Sequence, residues 1–148
     1  MTTEHPREPL ALNGVLASAL PPELGTYRAP SRYTVAAVFT RRPEARELFL
    51  LGAPETRRTL DEAGYTAVEL QVADRRLFIT NTSLEELKQG LAVVIADLLA
   101  QISSEVQEEW ALQTERLSVL ADEEGRRLRD VEAAAAEISF VSSAWSRL

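Results

Sequence analysis

The chain contains no cysteine and a single histidine, His5, and these two scarcities exclude most of the chemistry open to a small protein. Without cysteine there is no disulfide framework, no thiolate metal site and no thiol nucleophile. One histidine near the N-terminus supplies neither a Ser-His-Asp triad nor a histidine metal site. The carboxylates between the apolar segments are interpreted as solvated surface: Asp61, Glu62, Glu69 and Asp74. We therefore expect no enzyme activity, no metal and no cofactor.

Glycine-rich phosphate-binding loops and long apolar runs are missing as well. Neither G-x-G-x-x-G nor G-x-x-x-x-G-K-S/T occurs, so no nucleotide site is indicated. The longest apolar run, Leu91 to Ala96, is far shorter than the roughly 20 residues that cross a bilayer. Ala17-Ser18-Ala19 has the form of a signal-peptidase site, but Met1 to Glu8 is acidic where a secretory signal is basic. The sequence predicts a cytoplasmic protein without a membrane-spanning helix.

The net charge of −7 at pH 7 is carried by one part of the chain. Residues 1–82 contain ten acidic residues and ten arginines, so their charges cancel. Residues 83–148 contain thirteen acidic and six basic residues, which gives −7. Because an acidic surface is repelled by phosphate backbones and anionic lipid head groups, we expect this part to bind protein rather than nucleic acid or membrane.

The first third of the chain predicts a flexible segment followed by a β-hairpin. Residues 1–31 are rich in proline and small residues, and a short helix ending before Pro21 fits the remainder of the pattern. Two apolar runs follow, Tyr33 to Thr40 and Glu47 to Leu51. Their β-branched and aromatic content is typical of strands, so we interpret them as the two arms of the hairpin.

A helix and a second hairpin are predicted next. The helix begins near Pro54, since proline is tolerated at the first helical position, and it ends near Ala63, before Gly64. After it, a two-residue loop at Asp74-Arg75 sets Val72 opposite Leu77. The same register sets Leu70 opposite Ile79, so that the four apolar side chains share one face of the sheet.

Thr82 to Glu86 contains two overlapping capping boxes, which indicate the start of the last helix. The fold class is therefore α+β: an antiparallel four-stranded ββαββα module over residues 32–101, preceded by the flexible residues 1–31. Residues 102–148 are predicted to form a helical arm that continues the last helix of the module.

Apolar residues recur at helical spacing from Leu84 almost to the end of the chain. At 1.5 Å per residue, Ser83 to Ala121 alone would span about 58 Å, whereas the module is about 30 Å across. We therefore interpret the beginning of the stripe as core and the rest as an interface for a second copy of the chain or another protein. The predicted interface comprises Ile102, Val106, Trp110, Leu117, Leu120, Leu128, Val131 and Ile138.

Gly125 is the place where the arm would fold back on itself as a helical hairpin. A hairpin would put acidic residues at the end of one helix and arginines at the start of the next, both unfavourable for the helix dipole. In one continuous helix the same residues pair favourably, Asp122 with Arg126 and Glu123 with Arg127. A continuous helix is favoured over the hairpin.

Arginine occurs in three doublets within the otherwise neutral module: Arg41, Arg42, Arg57, Arg58, Arg75 and Arg76. The first and third doublets are expected in hairpin loops and the second on the helix between them. If they converged, they would form a surface for an anion or nucleic acid. If they did not, they would serve solubility and local ion pairs.

The order of two hairpins around a short helix, closed by a C-terminal helix, together with the acidic charge, resembles the dimeric secretion chaperones and their relatives. The resemblance covers roughly residues 10–100, the extended arm departs from it, and no binding residues are transferred from that family. It implies an acidic dimer that binds a client protein. Three hypotheses result: a homo-oligomeric scaffold that associates through the arm, a chaperone-like dimer, and a module that binds anions or nucleic acid through the arginine doublets.

Overall fold

The computed structural model of the chain describes residues 8–142, so that His5 lies outside the described residues. The strands are β1 (Leu12–Val15), β2 (Tyr33–Phe39), β3 (Glu69–Ala73) and β4 (Arg76–Thr82), with a 3-10 turn at Ala17–Ala19. The helices are α1 (Ala45–Leu51), α2 (Pro54–Glu62), α3 (Leu84–Glu86) and α4 (Ala92–Ala136), with a wide π-helical turn at Leu87–Leu91 between the last two. The predicted α+β class with a long C-terminal helix is confirmed.

The four strands form one antiparallel sheet in the order β1-β2-β4-β3. The β3–β4 hairpin turns at Asp74 and Arg75, and Asp74 takes a left-handed conformation with φ of 57°. Val72 lies opposite Leu77 and Leu70 opposite Ile79, which confirms the predicted register. Helix α2 also begins at Pro54 as predicted, and the left-handed Gly64 follows its end.

The N-terminal segment supplies a strand that was not predicted. Leu12–Val15 pairs with the edge of β2, and the backbone N–H of Thr40 donates to the carbonyl of Ala11. Leu10 is buried in the core, where its N–H donates to the hydroxyl of Ser103 on α4. Residues Leu10 to Val15 therefore belong to the fold rather than to a flexible segment, and the 3-10 turn at Ala17–Ala19 lies where the short helix before Pro21 was predicted. Strand β1 contains Gly14 and only four residues, so pairing with β2 rather than local propensity forms it.

The run Glu47–Leu51, predicted as a strand, belongs to helix α1. The carboxylate of Glu47 accepts a hydrogen bond from the backbone N–H of Glu44 at 2.8 Å, which satisfies a donor at the start of the helix. The helical spacing also places Glu47 and Leu51 on the same buried side. A short apolar run is compatible with strand or helix, and here the capping interaction decides for the helix.

The core lies between one face of the sheet and the beginning of the C-terminal helix. The strands contribute Val35, Phe39, Leu77 and Ile79, and the helix contributes Leu87, Leu91, Ile95, Leu98, Leu99 and Ile102. Burying each of these apolar side chains contributes roughly 1.5–3 kcal/mol to the stability of the fold. The predicted core role of the first part of the helical stripe is confirmed. By compactness the chain divides into a first unit that ends at Glu108 and a second that begins at Glu109.

Several contacts fix where the C-terminal helix begins. The hydroxyl of Ser83 accepts from the N–H of Glu86 at 3.1 Å, as the capping-box pattern predicted. The carboxylate of Glu86 accepts from Thr82 at 2.7 Å, which ties the first turn to the end of β4. A few residues later Gly90 has φ of 156°, and a Cβ atom there would lie 3.0 Å from the hydroxyl of Tyr65. The helix therefore kinks at a position that favours glycine.

Helix α4 then runs without a break from Ala92 to Ala136 and includes Gly125. The prediction of one continuous helix rather than a hairpin is confirmed. The ion pair that the structure shows at this position joins Glu124 and Arg127 at 2.7 Å, one helical turn apart.

A buried ion pair connects β2 to α1. The guanidinium of Arg41 donates two hydrogen bonds to the fully buried carboxylate of Glu47, at 2.8 and 2.7 Å. The same guanidinium donates to the carbonyl of Glu8, next to the start of the N-terminal segment. Its hydrogen bond to Glu47 raises the pKa of Arg41 above its usual value. One arginine therefore joins three separate parts of the first unit.

We predict that Arg41→Ala lowers the free energy of unfolding by about 3 kcal/mol, because it leaves the Glu47 carboxylate buried without its cation. Arg42→Ala is the matched control, since Arg42 pairs with Asp74 where both side chains are 71% exposed. We expect this control to change stability by less than about 0.5 kcal/mol. Urea unfolding followed by circular dichroism measures both changes. Equal effects of the two substitutions would contradict the structural role of the Arg41–Glu47 pair.

Candidate functional site

The second unit has no core of its own among the residues that the structure describes. Every residue from 109 to 142 is exposed except Gly125, which is half-buried. The exposed apolar side chains of α4 in this unit are Trp110, Leu112, Leu117, Val119, Leu120, Leu128 and Val131. A helix with this many uncovered large apolar side chains is typical of an interaction surface.

Most of these side chains lie along one side of the helix. At 3.6 residues per turn, an arc of about 80° contains Trp110, Leu117, Leu120, Leu128 and Val131. We call these five residues the distal stripe. Their exposed fractions run from 40% for Trp110 to 59% for Leu117. Leu112 and Val119 project from the far side of the helix, so they do not belong to the stripe.

Three residues of the predicted interface differ from the rest in their surroundings. Ile102 and Val106 are each 5% exposed within the single chain, and Ile102 packs in the core of the first unit. The exposed part of the predicted interface therefore begins at Trp110 rather than at Ile102, because the first unit itself covers Ile102 and Val106. Ile138 is 64% exposed but follows the end of α4, so it does not continue the helical stripe.

Polar residues interrupt the distal stripe at two positions, Gln113 and Glu124. Arg127 donates hydrogen bonds to Glu124, the shortest at 2.7 Å. This contact lowers the pKa of Glu124 and raises the pKa of Arg127 relative to their ordinary values. Glu124 is therefore a carboxylate at neutral pH in the middle of the apolar surface, and any helix that covers the stripe must accommodate its charge.

The helix Leu84–Ala136 contains an 18-residue window with mean hydropathy 1.2, long and apolar enough by composition to cross a membrane. In the structure 39% of that window is buried. Core helices of soluble proteins pass the same test, and the apolar residues of this helix that are buried lie between Leu87 and Val106. One helix of this kind is weak evidence for a membrane span.

The first and third arginine doublets meet at one end of the sheet but are used by the fold. Arg41 is bound to Glu47, and Arg42 forms an ion pair with Asp74 at 2.6 Å. Arg75 donates to the carbonyl of Thr40 at 3.2 Å. Arg76 stands exposed on β4. Three of these four guanidinium groups are thus already bound to a carboxylate or a carbonyl of the fold.

The second doublet lies away from the other two. Arg57 donates to the carbonyl of Tyr65 at 2.8 Å and pairs with Asp61, which holds α2 against the chain leading into β3. Five residues of β3, or about 17 Å at 3.3–3.4 Å each, separate this end of the strand from the turn at Asp74. Arg58 is exposed. The three doublets therefore do not converge on one anion site.

A groove of about 1170 Å³ lies within the first unit, along α1, α2 and the beginning of α4. Its apolar lining includes Leu48, Phe49 and Val94, and Phe49 is 65% exposed. Acidic residues at the groove are Glu55, Asp97 and Glu105. The sequence did not indicate this groove because the residues of α1 were interpreted as a strand. The spacing of Glu44 and Glu47, which is that of a helix start, was the signal that could have revealed it.

The structure also bears on metal sites and on relatives of the chain. Among residues 8–142, no group of three or more His, Asp or Glu side chains is arranged to hold a metal ion. No protein-family model, curated protein or solved structure matches this chain. The resemblance to dimeric secretion chaperones therefore stays a prediction.

We predict that Arg57→Ala lowers the free energy of unfolding by about 1.5 kcal/mol, because charged donors to backbone carbonyls are lost at the α2–β3 connection. Arg58→Ala, the neighbouring exposed position, should change it by less than about 0.5 kcal/mol. Thermal or urea unfolding of the two variants tests this. If Arg58→Ala were the more damaging substitution, Arg57 would not be the residue that holds the connection.

Proposed function

We propose that the protein is a non-enzymatic interaction or scaffold protein that associates with itself through the distal stripe of α4. The observation that supports this most directly is the exposure of the whole described part of the second unit, Gly125 apart. A solvated helix without a partner would have no reason to place five large apolar residues on one side. An isolated helix in water also gains little stability from its own hydrogen bonds, so packing normally maintains it.

Burial of the stripe would favour association. Each side chain of the stripe is about half exposed, so burying its remaining surface would contribute roughly 1 kcal/mol to the free energy of association. Two copies double the number of side chains covered. A second copy is the partner that the stripe fits best, because identical apolar surfaces are complementary in a two-fold arrangement and symmetric dimers are the commonest oligomers.

The charge distribution supports protein as the partner. Residues 83–148 carry the whole net charge of −7, so phosphate and anionic lipid are unfavourable neighbours for this part of the chain. The arginine doublets do not offset this, since Arg41, Arg42 and Arg57 are already paired with carboxylates. Nucleic-acid binding through the doublets is accordingly the weakest of the three hypotheses.

We predict that Leu120→Asp weakens self-association about 100-fold, because two carboxylates per dimer would be buried in an apolar contact. Val119→Asp is the matched control: it adds the same charge one residue away, on the far side of the helix. This control should associate like the unmodified chain. Light scattering across a concentration series, with helix content from circular dichroism, measures both.

Two results would contradict the proposal. One is an unmodified chain that stays monomeric at high concentration with its full helix content. The other is an equal loss of association in Leu120→Asp and Val119→Asp, which would mean that net charge rather than the stripe controls assembly.

A second candidate function, client binding, is supported by the groove of the first unit. Its apolar wall and its three carboxylates, which outnumber the one arginine of the lining, Arg46, suit a peptide that combines apolar and basic side chains. Leu48 and Phe49 are 41% and 65% exposed, so both have surface left to bury against such a peptide. Client binding in this groove corresponds to the chaperone-like hypothesis, and it is compatible with a dimer formed through α4.

We predict that Phe49→Asp weakens binding of a fluorescent leucine- and lysine-rich peptide about tenfold, because it replaces an apolar contact by a charge that needs water. Arg58→Asp adds a similar charge on the exposed side of α2 and should bind the peptide as tightly as the unmodified chain. Fluorescence anisotropy measures the dissociation constants. Equal binding by Phe49→Asp and the unmodified chain would remove the groove as the site.

A further inference from the structure

The polar residues on the interacting side of α4 indicate how two copies are oriented. In a heptad frame with Trp110 at position a, the a positions are Trp110, Leu117, Glu124 and Val131. The d positions are Gln113, Leu120, Arg127 and Ala134. All of these residues lie in the unbroken helix and are exposed in the single chain. Both charged members of the set therefore enter the contact when a second helix covers it.

A parallel, in-register pair would place identical residues opposite each other. Glu124 would then face Glu124, and one layer further Arg127 would face Arg127. Gln113 would face its own copy as well. Like charges opposed in a partly desolvated contact are unfavourable, and the flank formed by Thr114, Ala121 and Leu128 offers no charge that could compensate.

An antiparallel pair brings different residues together. We propose that two copies of α4 pair antiparallel, with the two-fold axis between Leu117 and Leu120. Leu117 of each copy then packs against Leu120 of the other at the centre. Glu124 meets Gln113, which can donate a hydrogen bond to the carboxylate. Arg127 meets Trp110, whose ring accepts a cation over its face.

The residues beside the stripe agree with the same register. Arg116 and Glu123 lie on one flank, and antiparallel pairing about this axis sets Arg116 of each copy beside Glu123 of the other. The opposite flank carries the small residues Thr114 and Ala121, which allow close approach. A register moved by one heptad toward the C-terminal end would set Glu124 opposite Arg127, but it would also set Glu123 beside Asp130, leave only Ala134 opposite Leu117 and place Trp110 outside the contact.

The orientation rests on the proposed self-association, and the absence of cysteine makes it testable with single-cysteine chains. Two variants are prepared, Gln113→Cys and Glu124→Cys, and each is oxidised alone and in an equimolar mixture. In the antiparallel pair, identical positions are about 16 Å apart along the helix, too far for a disulfide, whereas position 113 adjoins position 124. We expect a disulfide between the two different variants in the mixture. We expect no disulfide-linked homodimer when either variant is oxidised alone.

The possible outcomes distinguish a wrong orientation from an absence of self-association. Efficient homodimeric disulfides in both variants would show a parallel pair, and one in Glu124→Cys alone would show the shifted register; either result overturns the proposed orientation while self-association stands. A chain that is monomeric by light scattering and forms no disulfide in any mixture overturns self-association itself, and the orientation with it.

A charge reversal tests the flanking contact without cysteine. Arg116→Glu converts two favourable pairs per dimer into two repulsive ones and should raise the dissociation constant about tenfold. Adding Glu123→Arg to the same chain restores the opposite charges and should return the dissociation constant to near its original value. A double variant that associates no better than Arg116→Glu would overturn the proposed register.

Discussion

The sheet has one strongly apolar face, and the fold depends on covering it. Val35, Leu77 and Ile79 would stand in water if the sheet were alone, and a four-stranded sheet of this size is stable only when such a face is packed. The beginning of the C-terminal helix supplies the cover through residues such as Leu91 and Leu99. The caps, the kink and the hydrogen bond from Leu10 to Ser103 all serve to place this helix on the sheet.

The same helix continues beyond the core. Because α4 does not break at Gly125, the residues that complete the core and the residues of the distal stripe belong to one helix. In the proposed association, the contact is therefore joined to the module by regular helix rather than by a loop.

Much of this architecture could be predicted because local patterns and tertiary packing agree there. The alternation of Leu70, Val72, Leu77 and Ile79 fixes both the register of the β3–β4 hairpin and the length of its turn. Pro54 and Ser83 mark helix starts through backbone chemistry that needs no distant partner. Strand β1 could not be predicted because its partner is distant: it exists because β2 offers an edge. Helix α1 was missed for another reason, since a short apolar run fits a strand or a helix and the local contacts of Glu47 with Arg41 and Glu44 decide between them. Helical spacing was sufficient to predict the distal stripe from Trp110 to Val131. It could not show that Ile102 and Val106 are covered by the chain itself.

The hydrogen bond between Leu10 and Ser103 joins residues 93 positions apart, and this sets the order of events while the protein is made. Strand β2 leaves the ribosome well before the helix that covers its apolar face, and the N–H of Leu10 cannot bond to its hydroxyl partner until Ser103 has emerged. Contacts of such long sequence separation form late and slow folding. The nascent sheet thus passes through a stage with its apolar face open, and this stage ends only when the C-terminal helix covers that face.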